Sequence, residues 1–239
     1  MVHMCRLAVL FGALTMATAF VMAEPASPPS ALEPVLHRFL ARADEPLVTY
    51  RGTRHLEGHN ERYNMSGWME IATELTADGF HYRVIDEGGS DVIRRRVFRS
   101  MLENEEQIFA NGDVARSSIT ATNYDLSPAP AAEPGLVKLF ARPKRKDVTL
   151  IDGAVYITDT DADLVRVEGR LAKSPSFWTR RVDVVKQYAR VGGLRVPIRV
   201  ESTAQIRLAG TSTMTMTYDY EMINGVNVGA SQAVVALAR

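Results

Sequence analysis

The chain has a single cysteine, Cys5, among 239 residues, and no excess of either charge: 28 Lys and Arg stand against 28 Asp and Glu. One cysteine cannot close a disulfide within the chain. It lies ahead of the amino-terminal apolar run, so it is not the acylated cysteine of a bacterial lipoprotein, which would follow that run. A balanced charge argues against a nucleic-acid partner, which would call for a basic surplus. Past the amino end no apolar run is long enough for a membrane-spanning helix. There is no Gly-x-Ser-x-Gly elbow, no Walker loop and no dinucleotide glycine pattern, and the carboxylates are scattered without forming an acid–base pair. With no constellation pointing to a reaction, the expectation is a binding protein and not an enzyme, with no cofactor and no metal.

The amino end itself has three zones. Residues 1–6 carry Arg6, residues 7–20 are an uncharged run of about 14 residues, and Val21-Met22-Ala23 offers a small-residue cleavage site. That run has the length of a signal-peptide core and is short for a bilayer span. Residues 1–23 are therefore expected to be a secretory signal peptide, with an uncleaved anchor as the alternative. Cleavage would leave about 216 residues without any thiol, dependent on their core for stability. The product would be exported and free of a lipid anchor.

Residues 24–30 read as a Pro-rich linker. Ser30 and Glu33 form a capping-box pattern, and Leu32, Val35, Leu36, Phe39 and Leu40 follow the helical period up to Asp44-Glu45-Pro46. Strands are then expected over 47–55, 62–75 and 79–85, with the first turn near Gly58-His59-Asn60 and another over 86–90. Residues 91–110 form a second helical pattern, with Val92, Ile93, Val97, Met101 and Leu102 on one face. Residues 120–135 read as an irregular crossing. Further strands are expected over 136–141, 148–151, 154–158, 164–171, 178–191 and 194–208, with Asp152-Gly153 as a hairpin turn. In 194–208, Leu194, Val196, Ile198, Val200, Ala204, Ile206 and Leu208 alternate with polar residues, so one face of the sheet is apolar. Met214, Met216, Tyr218, Tyr220 and Met222 repeat the design before an Asn224-Gly225 turn. The chain thus reads as one α+β, mostly β domain over 31–228, an antiparallel meander with helices over its concave face. Residues 229–239 form a tail with no assigned structure.

Two polar patterns suggest metals and fall short. His55 and His59 are four apart, but on a strand-and-turn segment broken by Gly58. Asp159, Asp161 and Asp163 resemble the start of a calcium loop that lacks its glycine at the sixth place and has Arg170 in place of the closing glutamate. Arg94-Arg95-Arg96 and Lys144-Arg145-Lys146 are short basic clusters, either solvated or able to meet an acidic partner. Methionines on an apolar sheet face serve as core or as an adaptable surface for varied apolar ligands.

Pro143-Lys144-Arg145-Lys146-Asp147, Ile151-Asp152-Gly153, Asp163-Leu164-Val165-Arg166-Val167-Glu168-Gly169, Ala172-Lys173-Ser174-Pro175-Ser176-Phe177-Trp178, Tyr188-Ala189-Arg190 and Pro197 together resemble exported proteins of the outer-membrane lipoprotein-sorting type, distant kin of the LolA/LolB carriers. The resemblance covers most of the chain after residue 23. It implies an incomplete antiparallel barrel of roughly eleven strands, a half-barrel whose concave apolar cavity is lidded by helices and holds acyl chains. A periplasmic carrier or chaperone for a lipid or lipidated protein follows as the expected function. The alternative is a sensor that detects lipoproteins and signals to a membrane-bound partner through Arg94, Arg95 and Arg96. The cavity lining expected from alternation is Met69, Ile198, Val200, Met214, Met216 and Tyr218, with Phe177 and Trp178 on a loop at its rim.

Overall fold

From Tyr50 onward the chain is a succession of alternating apolar and polar positions, which can bury one face only by pairing into a sheet and covering it. The computed structural model describes residues 33–42, 45–130 and 133–229. The expected signal peptide, the linker, the Ser30 cap and residues 230–239 lie outside the described residues.

A short helix, α1 (Glu33–Ala41), precedes three strands, β1 (Tyr50–Asn60), β2 (Met65–Thr76) and β3 (Gly79–Gly89). Next come α2 (Asp91–Ile93), a π-helical segment (Arg94–Arg99) and α3 (Ser100–Ala110), running on from one another, and a 3-10 turn at Asp113–Ser117. The remaining strands are β4 (Tyr124–Pro128), β5 (Leu136–Pro143), β6 (Ile151–Thr158), β7 (Leu164–Leu171), β8 (Thr179–Val191), β9 (Leu194–Ile206), β10 (Gly210–Ile223) and β11 (Val226–Asn227). All belong to one antiparallel sheet in the order β3-β2-β1-β10-β9-β8-β7-β6-β5-β4, with β11 beside β10. The sheet does not close, since β3 and β4 are its two edges. This is the expected half-barrel class, mostly β with helices packed against the sheet.

The path folds at β1, whose neighbours are β2 and, from the far end of the chain, β10. That one non-local pairing, Leu56 beside Met216, joins the amino-terminal hairpins to the carboxy-terminal meander. The α2–α3 stretch returns over β2 and β3. It can lie close because glycines face it: a Cβ at Gly58 would lie 2.9 Å from Ile93 and 3.1 Å from Phe98, and one at Gly67 would lie 3.1 Å from Ile93. The π-helical segment spaces Ile93 and Phe98 five apart, and both are buried, as is Leu102. A wider helical turn is what brings side chains at that spacing to one face.

Several boundaries differ from the sequence expectation. The β1–β2 turn falls after Asn60, where Asn64 adopts a positive φ of 47°. Strand β3 runs through the expected turn to Gly89. The expected irregular crossing contains β4, an edge strand. Val92 and Val97 are exposed; in the π-helical segment it is Phe98, not Val97, that joins Ile93 on the buried face. Asp152-Gly153 is not a turn: both residues lie within β6, paired with Arg170 and Gly169 of β7. Gly153 is there for close approach, since a Cβ on it would lie 2.1 Å from the Glu168 carbonyl oxygen and 2.6 Å from the Gly169 Cα. Leu208 sits in the β9–β10 turn with φ 67° and is exposed.

The Lys144-Arg145-Lys146 cluster proves to be tied into the fold. Lys144 Nζ donates to the Ala121 carbonyl at 2.7 Å, and Arg145 donates to Asn123 Oδ1 and the Arg116 carbonyl, each at 2.6 Å. Asp147 gathers these ends, accepting from the amide and hydroxyl of Thr149 and from Arg116 and Arg145. Burial alone would raise the Asp147 carboxyl, but these donors outweigh it and hold it at about 2, below its ordinary 3.8. A carboxyl held low stabilises the fold fully above its unfolded pKa and loses that contribution as pH falls through the folded value. Asp147→Asn is therefore expected to lower the melting temperature by a constant amount between pH 7 and about pH 5. The gap to the parent protein should close as the pH approaches about 2. Calorimetric melts across that range check it, and a gap that persists at the lowest pH would show that the carboxylate charge is not the source.

Candidate functional site

Direct cross-strand partners share a face of the sheet, so the register traces the inner face. One row runs Met69 (β2), Leu56 (β1), Met216 (β10), Val200 (β9), Lys186 (β8), Val167 (β7), Val155 (β6), Leu139 (β5). Seven of these side chains are apolar and buried. The eighth, Lys186, is half-buried and is the row's one charge.

The inner face is packed unevenly. Toward the helices it is dense: Leu56, Met69, Ile71, Phe98 and Leu102 are fully buried. Along β8, β9 and β10 it opens, with Val182, Tyr188, Ala204, Ile206, Met214 and Tyr218 only half-buried. Tyr188 and Tyr218 remain partly accessible, yet burial pushes both phenols well above their ordinary range. Burial likewise lowers the Lys186 ammonium, against the attraction of Glu105. We term this half-covered, largely apolar inner face of β8–β10 the trough.

A buried cation bounds it on the helical side. Arg54 is 3% exposed and grips Glu105 of α3 through two hydrogen bonds of 2.7 and 2.9 Å, with a third to the Tyr50 hydroxyl at 2.5 Å. Its guanidinium lies 4.7 Å from the Tyr218 ring centre and 4.8 Å from that of Phe80. Helix α3 is thereby tied to β1 across the concave face.

At the other end the trough meets exposed apolar side chains. Phe177 is 73% exposed and Trp178 56%, in edge-to-face contact at 5.6 Å. The Arg207 guanidinium lies 4.6 Å from the Phe177 ring centre, and the Arg207 amide donates to the Trp178 carbonyl. Leu208 is exposed, and its carbonyl accepts from the Tyr63 hydroxyl at 3.0 Å. These side chains come from three neighbouring turns.

Of the residues expected to line a cavity, Met69, Ile198, Val200 and Met216 are buried on the inner face, while Met214 and Tyr218 border the trough. Phe177 and Trp178 stand at the rim, apart from the other six. Alternation did not single out Lys186 or Tyr188, although Val182, Val184, Lys186 and Tyr188 occupy every second position of β8 and the lysine interrupts an otherwise apolar stripe. Arg54 and Glu105 carry no sequence signal as a pair.

The histidines and the acidic turn do other work. His55 meets Glu57 at 3.1 Å and His59 meets Ser66 at 2.9 Å, both in exposed positions. The turn at residues 159–163 presents its carbonyls to α1: Arg38 donates to those of Thr160 and Asp159, and Arg42 to that of Asp161. Asp163 pairs with Arg190 at 2.6 Å. Among the described residues no group of three or more metal-ligating side chains converges. Two clefts open on the surface, one of about 310 Å³ beside Glu168, Asp183 and Glu201 and one of about 630 Å³ beside Arg38, Arg42 and Asp163. The carboxylates of the first are paired with arginines beside it, Glu168 with Arg166, Asp183 with Arg181 and Glu201 with Arg199, and the arginines of the second are engaged by Asp163 and the carbonyls of the 159–163 turn, so the trough, not these, is the candidate site.

No family model matches the chain, and no curated protein matches it by sequence. Among solved structures, a LolA superfamily protein of Nitrosomonas europaea aligns over 78% of this chain and 90% of its own, with 11% identity and a TM-score of 0.37. A DUF1329 family protein of Desulfovibrio piger aligns over 79% and 90%, with 6% identity and a TM-score of 0.36. Both likenesses are distant; the open-sheet architecture stands on the strand order and register themselves.

The Arg54–Glu105 pair makes a direct prediction. Glu105→Gln leaves a guanidinium buried without its counter-charge, at a cost of about 3 kcal/mol, near the lower end for breaking a buried pair. For a domain of this size that lowers the melting temperature by about 6–12 °C. Thermal melts followed by circular dichroism measure it; an unchanged melt would mean that the pair does not fasten α3.

Proposed function

We propose that the protein binds the acyl chain of a lipid or lipidated protein in the trough of β8–β10 and acts as a carrier in an exported compartment. The observation that carries this reading is the unevenly filled inner face: apolar, sealed by α2–α3 on one side and left half-covered along Val182, Ala204, Ile206 and Met214 on the other. Transfer of an acyl chain from water to such a face is favourable by about 0.8 kcal/mol per methylene and needs no covalent chemistry. Methionine and tyrosine suit the lining, one adapting in shape and the other offering an apolar body with a polar tip. Phe177, Trp178 and Leu208 give the chain an apolar route past the rim. The uncharged apolar run at the amino end, preceded by Arg6, supports export, and among the described residues no helix is long and apolar enough to cross a membrane.

Ala204 faces the trough and is not part of the packed core, so Ala204→Phe should fill space the ligand needs. Displacing about two methylenes costs roughly 1.6 kcal/mol, about a tenfold loss of affinity. Titration with a fluorescent long-chain acyl probe measures it, with melting temperature as the control. No probe binding by the parent protein, together with a ligand-free native mass after purification, would sink the carrier reading.

A second reading, an interaction module that reports a bound lipoprotein to a membrane partner, draws on one exposed face. Arg94 is occupied by Glu87 and Asp91; Arg95, 3.9 Å from Asp91, and Arg96 are exposed beside Val92 and Val97. If that face docks a partner, Arg95→Glu with Arg96→Glu should abolish co-sedimentation with membranes while leaving acyl binding unchanged. Equal co-sedimentation of both forms would exclude the face.

A further inference from the structure

Lys186 is out of place by every criterion that explains its neighbours. Val200 and Val167 flank it directly across the sheet, both less than a tenth exposed. A solvated ammonium gains nothing from such a position, because burial penalises its charge and an aliphatic side chain would pack there without cost. Glu105 is the one charge that acts appreciably on it, and both oxygens of that carboxylate are already engaged by Arg54. No hydrogen bond or ion pair joins Lys186 to Glu105 among the described contacts. The inner face therefore holds two basic side chains, Arg54 and Lys186, against one carboxylate that Arg54 already engages.

Two phenols share the place. Tyr188 follows Lys186 on the same face of β8, and Tyr218 lies on β10 beside Arg54. Neither hydroxyl has a hydrogen-bond partner among the described residues, although Tyr50, Tyr124, Tyr156 and Tyr220 each donate or accept one. A lysine and two phenolic hydroxyls without hydrogen-bond partners among the described residues, on one half-covered apolar face, are the complement of an oxyanion on an apolar chain.

We propose that the trough selects an amphiphile with a single anionic head, a fatty carboxylate being the simplest, whose head is held at the base by Lys186 with Tyr188 and Tyr218. The proposal rests on the acyl-binding reading and specifies its ligand. The chain would run from Lys186 along β8 toward Trp178. At roughly 3.4 Å per residue the eight-residue path is about 27 Å long, enough to cover a long acyl chain.

The test compares hexadecanoate, hexadecanol and hexadecyl phosphate by displacement of the fluorescent acyl probe, on the parent protein and on Lys186→Met. A charge-assisted contact predicts that hexadecanoate binds about tenfold to 100-fold more tightly than hexadecanol to the parent protein. Lys186→Met should erase the difference and leave hexadecanol binding intact. A still stronger preference for hexadecyl phosphate would support the anion site and identify a phosphate-headed lipid as its source. Equal binding of acid and alcohol by the parent protein overturns the headgroup inference and spares the carrier reading. Failure of all three to bind removes the carrier reading itself. Melting temperature separates the remaining possibility: removal of an unpaired buried charge should leave the melt unchanged or raise it. If Lys186→Met instead lowers it as Glu105→Gln does, Lys186 is a structural counter-charge to Glu105 and the inference fails.

Discussion

A guanidinium buried beneath a helix must be neutralised from that helix, and much of this structure follows from how Arg54 is neutralised. Its carboxylate comes from Glu105, more than fifty positions along the chain, so the pair can form only when α3 lies across the concave face. The approach needs room, and Gly58 and Gly67 supply it under Ile93 and Phe98. It also needs those two side chains on one face, which the π-helical segment provides. A fully aliphatic contact would seal the same surface at less electrostatic cost. The ion pair adds position: a bidentate contact fixes where the helix stops along the sheet, which apolar packing by itself does not.

Where the helix stops decides what the rest of the face can do. Helix α3 covers β2 and β3, with Phe109 stacked on Phe80 at 5.8 Å. The half of the inner face built by β8–β10 is left with a shallower cover. A chain that needed only stability would fill that half with larger aliphatic residues. It carries Ser202, Ala204, Lys186 and two tyrosines with free hydroxyls instead, which sacrifices packing for a polar floor. Departures of this kind from a well-filled core are where function is to be sought. The register makes the departure sharp, because the row from Met69 to Leu139 is apolar at every strand but one.

The fold was largely legible in the sequence, for a physical reason. Alternation is a property of single strands, so 194–208 and the segment from Met214 to Met222 showed their faces without any knowledge of their neighbours. The misreadings came where neighbours decide. Gly153 looked like a turn residue, but its role is set by the backbone of Gly169 across the sheet. Val97 looked buried on a 3.6-residue period, and the π-helical segment gave its place to Phe98. The edge strand β4 was hidden in a Pro- and Ala-rich stretch, since an edge pairs on one side only and tolerates such residues. The expected lining divided in the same way. The six side chains share the inner face, but alternation does not say which of them are packed and which are left half-covered. That distinction depends on where α3 comes to rest.

The rim bears on the direction in which a ligand would lie. Phe177, Trp178, Leu208 and Tyr63 project from adjacent turns, and Arg207 and Arg62 lie over the rings of Phe177 and Tyr63. Aromatic side chains with cations beside them suit a boundary between water and an apolar phase, whereas the half-buried Lys186 and two phenols suit an anion partly shielded from water. On the proposed reading a charged head at the rim would meet Arg207 and Arg62 in exposed positions, whereas along β8 it would meet the half-buried Lys186. The asymmetry argues for a ligand that enters head first and leaves its chain along β8 toward Trp178. A lipidated protein, whose bulk must stay outside, would have to enter in the opposite sense and leave the Lys186 charge unanswered. On the proposed reading, the polar floor therefore favours a small free amphiphile over a protein-borne lipid.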